Sequence, residues 1–465
     1  MAESTDGQTL RLIERSQHVS TGNTSGDEKD TKDSESSNAD GINMWQTAVS
    51  ISGICAGLGF LAVDVLVVST GWVGFLLFGL LYAALLYTSI ILGRCWNMVR
   101  AKWGSERHPY GAIGQEAFGD WARGVVNVLV AVACFTNAIV FLMGFTEMTL
   151  TIGGPALEGT LCYWPPVFGV IICPFLWLAT PKNFWLVLAG SFFTVVLSVI
   201  FVIISIFVAG DSMSKGTSNT TVTTHGELHG ESDFLHLAEV AGTVFWLMGQ
   251  HSVIPTLQQD MQQPQGFTKA IIIADLLTLF LALPMMLVLL IIFGDTLTNV
   301  TGTAIVFDLL PEDALKKVAA LLILVHLAGG VLLVNNPLFQ YLEEVLNIPT
   351  DFSWKRVVLR SSVLLGQIFV QETLPHFTLL SSISGGFLTP ILALIVPCLC
   401  YLRLRRIYQE VPSKLYTLET VVCVIIIGAT PCLIGAILFG TGTAIVRGKT
   451  AFTVPCYVNA TQARL

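Results

Sequence analysis

Charge is scarce in this chain. Only 12% of its 465 residues are Asp, Glu, Lys or Arg, whereas 53% are apolar, and the mean hydropathy is +0.70. That balance excludes a string of soluble domains and points to an integral membrane protein, with the lipid bilayer as its solvent. Also absent are a Gly-rich phosphate loop ending in Lys-Ser/Thr, His/Cys pairs at zinc spacing, and any nucleophile with a base and an orienting group, Ser252 beside His251 being isolated. Nucleotide-driven transport and soluble-enzyme chemistry are disfavoured. No cofactor, metal or nucleic acid partner is implied. The first residues lack the basic start and apolar run of a secretory signal peptide, so the first membrane helix is expected to direct insertion itself.

Residues 1–43 hold nine acids against four bases in a Ser/Thr/Asn/Asp-rich background. Such a segment cannot bury enough apolar surface to fold alone and reads as a disordered, acidic, cytosolic tail. Residues 44–440 form the transmembrane core, and 441–465 a short non-cytosolic tail. Apolar runs able to cross a bilayer, which takes about 20 residues, lie near 44–67, 72–93, 124–146, 166–180, 184–209, 237–254, 270–293, 318–340, 378–402 and 417–440. An eleventh, near 357–374, contains Arg360, Gln367, Gln371 and Glu372 and is expected to be lined by neighbouring helices instead of lipid. Eleven crossings put the termini on opposite faces. With a cytosolic N-terminus, the cytosolic loops and helix ends hold fourteen bases and the other face six, as the positive-inside rule requires. The sequons at Asn219, Asn299 and Asn459 all then fall on the lumenal or extracellular face, where they can be glycosylated. Eight of the ten cysteines sit in or beside apolar stretches and read as packing. Cys162 and Cys456 share the oxidising face, but nothing in the sequence brings them together, so two unpaired thiols are expected ahead of a disulfide.

The sixth stretch is interrupted. It carries Gly249, Gln250, His251, Ser252 and Pro255 near its middle, and proline removes a backbone donor where glycine already weakens the helix. Lipid cannot satisfy the freed backbone groups, so such a break belongs at a buried cavity at membrane depth. The first stretch has Gly53, Gly57 and Gly59 ahead of Asp64, again suggesting local unwinding. Taken alone, three glycines would indicate only close packing. The start of the second interrupted helix comes five helices after the start of the first, the pattern of two five-helix repeats with broken leading helices. The fold class expected is therefore an all-α integral membrane protein of about 11 transmembrane helices, a leucine-transporter-type 5+5 inverted repeat plus one helix.

On the cytosolic side, Tyr110-Gly-Ala-Ile-Gly-Gln-Glu-Ala-Phe-Gly119 leads into the third helix. This tract, the run from Phe245 through Gly249, His251 and Pro255 to Met261, Gln263, Pro264 and Phe267, and the shorter features Gly71-Trp-Val-Gly74, Phe293-Gly-Asp295, Asn336-Pro337, Gly385-Gly386 and Pro397-Cys-Leu carry a resemblance. Over roughly 45–440 the chain resembles the amino acid/auxin permease family, which includes vesicular inhibitory amino acid transporters, proton-coupled amino acid transporters and fungal vacuolar permeases. One departure stands beside the expected site: where family members usually carry a Gly-Leu-Pro-Tyr-like tract, this chain has Ala62-Val-Asp64-Val65.

Charge at bilayer depth costs about 2.5–3.5 kcal/mol on insertion scales, so buried ionisable groups are functional candidates. Asp64 would carry a coupled proton or pair with a substrate ammonium, or else be hydrated by an outer vestibule. His251 would titrate within the broken helix or bond a carbonyl. Glu147, Asp275 and His326 read as structural, and Glu343 and Glu344 as solvated. The expected function is secondary active transport of a neutral amino acid or close analogue, coupled to protons. Amides around Gly57 and Gly59 would bind its carboxylate, with Asp64 beside them, and the backbone from Trp246 through Met248 to Gly249 would take its ammonium. The alternative is a transporter-like amino acid sensor without net transport. Either would sit in a vesicular, lysosomal or plasma membrane.

Overall fold

The computed structural model describes residues 41–104, 106–157, 159–178, 184–216, 230–297, 306–349, 351–374, 380–381, 384–409, 414–446 and 455–458. Residues 1–40 of the acidic tail and the sequons at Asn219, Asn299 and Asn459 lie outside the described residues.

Among the described residues, each of the eleven apolar stretches is helical. The first is split into α1 (Met44–Cys55) and α2 (Leu58–Ser69). Then come α3 (Gly71–Trp103), a short α4 (Pro109–Phe118), α5 (Asp120–Gly153), α6 (Trp164–Trp177) and α7 (Phe184–Gly216). The sixth stretch is also split, into α8 (Gly230–Met248) and α9 (Ile254–Gln259), joined by a 3-10 turn at Gln250–Ser252. Beyond it run α10 (Phe267–Leu297), α11 (Ala314–Val345) and α12 (Trp354–Thr373), then π-helical turns at Ser384–Leu388 and Ile391–Ile395 leading into α13 (Val396–Ile407), and finally α14 (Lys414–Val446). Seven of these spans are long and apolar enough to cross a membrane. The rest are the two broken stretches, α6 with only 14 residues, and α12, whose polar residues depress its hydropathy.

The order of α1 and α2 is written locally. Asn43 caps α1 through the Gln46 N–H while the Gln46 side chain accepts from the Asn43 N–H, a reciprocal capping box. At the other end Ala56 and Gly57 are extended, and no side chain caps α2. The ends of the two split stretches are tied on one face: the Ile42 N–H donates to the Asp260 carbonyl and the Gln262 N–H to the Ile42 carbonyl, both at 2.9 Å. α11 packs along α5 and α7 at the centre of the molecule. Outward faces are apolar and unpaired, with Phe280 76%, Val170 76% and Ile291 79% exposed, as a lipid-facing shell requires.

Two expectations are corrected. Glu343 is not solvated: it is 1% exposed and receives Arg356 Nε and Arg360 Nε, each at 2.8 Å. The chain turns back after α11 and lays the first turns of α12 over that end, which seals the carboxylate in. Gln367 and Gln371 of α12 also face inward, Gln367 donating to Asn335 Oδ1 at 2.7 Å and Gln371 to the Thr146 hydroxyl at 3.1 Å. Cys162 and Cys456 are not two free thiols but a disulfide across 294 residues of sequence. After α14 the chain returns to the end of α12, where the Cys456 N–H donates to the Glu372 carbonyl at 2.9 Å and the Tyr457 ring stacks on Phe369. That return places the two sulfurs together. Peptide mapping without reductant should recover the segments around 162 and 456 as one cross-linked species; separate alkylated thiols would contradict the pairing.

Candidate functional site

The two helix breaks meet. A Cβ added to Gly59, in the first turn of α2, would enter the indole of Trp246 near the end of α8 and touch Leu247 at 3.0 Å. A Cβ on Gly57, at the break itself, would strike the His326 imidazole of α11. Neither glycine is demanded by backbone strain, since Gly57 is extended, a conformation open to any residue. What is demanded is room. Phe141 of α5 lies between the two rings, its centroid 6.2 Å from Trp246 and 6.5 Å from His326. The first amides of α2 therefore open among Trp246, Phe141 and His326, and they lack intrahelical acceptors by their position. A helix start of this kind attracts anionic groups, and a helix end attracts cations.

α8 stops because Gly249 leaves the helical ladder with the Gly249 N–H still on the Phe245 carbonyl at 2.9 Å. A Cβ there would meet Thr389 and the Phe245 carbonyl. Gly385 sits backbone-to-backbone against Gly242 and Trp246, so the π-helical turns of the tenth stretch press directly on α8. Of the carbonyls expected to take an ammonium, that of Leu247 accepts from the Gln250 side chain at 3.2 Å.

Asp64 is not hydrated by a vestibule. It is fully buried in α2, and neither carboxylate oxygen has a hydrogen-bond partner. His251 is also fully buried, with Nε2 3.1 Å from both the Thr88 and Ser89 hydroxyls of α3. The structure thus brings Gly57, Gly59 and Trp246 together, but turns the His251 ring against α3 and Gly249 against Thr389. Met248 is buried in the same end of α8. Sequence reasoning missed Phe141 and read His326 as structural: both lie in ordinary apolar helix, and only the folded chain shows them beside the break.

At the face of Ile42 a second opening is lined by His108, Tyr110, Asn127, Thr256 and Tyr341. His108 Nε2 lies 2.9 Å from a Glu344 carboxylate oxygen, and Arg123 bridges to Glu106 at 3.0 Å. Burial lowers the His108 pKa, which Glu344 partly offsets. The Tyr110 hydroxyl donates to the Leu392 carbonyl, so the 110–119 tract, now seen as α4, braces the tenth stretch.

Paired broken helices packed around a central site define the leucine-transporter-type fold, and the structure of MhsT in complex with L-phenylalanine superposes with a TM-score of 0.58, covering 86% of this chain and all of that one at 13% identity. The model of the transmembrane amino acid transporter protein family matches residues 40–439, and the chain belongs to that family. Among relatives in Arabidopsis thaliana, amino acid transporter AVT1E is 24% identical over 422 residues, covering 86% of this chain and 73% of its own. AVT1J is 26% identical over 404 residues, covering 83% and 86%.

Proposed function

We propose that this chain is a secondary active transporter of neutral amino acids or close analogues, driven by a proton gradient. The observation that carries the reading is the meeting of the two breaks, with Gly59 of α2 bare against Trp246 of α8 in a chain of an amino acid transporter family. The amides of Leu58 and Gly59 receive the substrate carboxylate, and carbonyls near Met248 and Gly249 its ammonium. Asp64, sealed and unpaired, is the proton carrier: a carboxylate held without partners is far cheaper to bury when protonated. His251, between two hydroxyls, is the second proton-coupling candidate. The disulfide supports residues 455–458 on a lumenal or extracellular face, with the N-terminus cytosolic and Asn219, Asn299 and Asn459 available for glycosylation.

Uptake of a panel of labelled amino acids into proteoliposomes, with and without an imposed proton gradient, tests this. Accumulation should collapse with the gradient, and Asp64→Asn should cut gradient-driven accumulation by at least about tenfold, since a buried ionisable group in a span is retained for use. Binding without accumulation in folded protein would replace transport with the sensor reading.

A further inference from the structure

We infer that His326 is the group that couples protonation to recognition of the substrate carboxylate, a role separate from that of Asp64. The inference rests on the transport reading above and adds to it a residue on a helix that is not broken.

His326 is 1% exposed, and neither of its ring nitrogens meets hydrogen-bond geometry. Buried imidazoles ordinarily have partners, so this one calls for a ligand. Its Nε2 is the atom that a Cβ on Gly57 would strike, which puts it directly at the break of the first stretch. Two backbone features converge there. The last carbonyls of α1 point toward the break and carry the negative end of that helix, while the first amides of α2 carry the positive end of the other. A neutral imidazole can only partly serve both. An imidazolium seated there complements the end of α1 and adds a positive charge beside the amides that take the carboxylate. Half-helix ends at such breaks are where coupling cations are held, and here the position is occupied by a side chain able to become a cation itself.

The surroundings leave the ring free for that task. From α5 it faces Phe141, and from α7 the Ser191 carbonyl is close by, a group that can only accept and so suits a ring bearing N–H. Among the described residues no charged side chain acts on the ring. The titratable groups on the packed elements are Cys55 and Asp64 of the first stretch and Asp120, Arg123, Cys134 and Glu147 of α5, the first two at its far end. Asp64 is seven residues past Gly57 and Glu147 six past Phe141, which is roughly 10 Å along either helix. A carboxylate that arrives between the α2 amides and His326 is therefore the nearest anion the imidazolium can have. Proton and substrate then favour each other's binding by the same factor, as linkage requires.

The test is equilibrium binding of a labelled substrate, chosen from the uptake panel, to the purified full chain across pH 5 to 8. For wild type, affinity should rise by about tenfold as pH falls through the histidine range, a typical coupling. H326Q should bind more weakly and with no pH dependence, whereas D64N should keep the pH dependence of binding while losing accumulation. An H326Q protein whose affinity still rises tenfold with acidity would overturn the inference, as would loss of that dependence in D64N or H251Q with H326Q unaffected. If H326Q is not recovered folded, substrate-induced infrared difference spectra of wild type and H251Q decide: an imidazolium band in both supports His326, and a carboxyl band alone excludes it. Failure of wild type to bind or accumulate any amino acid would instead remove the transport reading.

Discussion

Gly59→Leu is expected to reduce amino acid uptake to background while leaving the amount of folded protein in the membrane near that of wild type. The added side chain would occupy the space filled by the Trp246 indole and a Leu247 methyl, so that side chains and not main chain stand in its way. The backbone of α2 gains instead of losing, because glycine within a helix costs about 1 kcal/mol relative to a good helix former. Site geometry is thus damaged and the scaffold is not. Gly53→Leu provides the contrast. A Cβ at Gly53 runs into the Leu188 carbonyl of α7, a main-chain obstacle inside a well-packed helix pair, so this change should lower abundance as well as uptake. Uptake normalised to surface or vesicle protein separates the two. Normal uptake by Gly59→Leu would show that the carboxylate site lies elsewhere.

The same glycines mark how far the sequence could be read. The breaks were legible because glycine, proline and polar residues inside an apolar stretch are costly in lipid unless the backbone they free lines a buried site. Their partners were not. His326 and Phe141 lie in helices whose apolar character conceals which face meets the break, and a one-turn difference in packing would turn them away. Sequence spacing alone also cannot report a contact across 294 residues, which is why the Cys162 to Cys456 bond was unreadable. Asp64 stands out in the sequence as an acid inside an apolar stretch, yet whether water reaches it depends on how α2 is enclosed. Glu343 was misread for a related reason: at the end of a helix, beside Glu344, it looks solvated until α12 is laid on top of it. Glu344 itself, 46% exposed on its side chain, fits the simpler reading.

Glu343→Gln should be among the most destabilising single substitutions in the chain. Its carboxylate is 2% exposed and neutralises two guanidinium groups, Arg356 at 7% and Arg360 at 3%. Arg360 also donates to the Leu176 and Leu178 carbonyls at 2.6 and 2.9 Å and lies over the Phe339 ring. One residue therefore joins α6, α11 and α12. A glutamine fills the same volume but removes the negative charge that two buried guanidinium groups share, and breaking a buried pair in this way costs about 3–5 kcal/mol. In detergent the melting temperature should fall by roughly 10 °C. Glu343→Gln with Arg356→Gln should recover part of that loss, since it removes one of the two guanidinium groups that shared the carboxylate while Arg360 keeps its carbonyls. Unchanged melting of Glu343→Gln would mean that water reaches the cluster and that the helices are not sealed there. Because Glu343 lies 17 residues beyond His326 on the same helix, about 25 Å along it, uptake per folded molecule below the melting range should stay close to wild type. A stability defect without a change in pH dependence would then separate the frame that holds α11 in place from the imidazole it presents at the break.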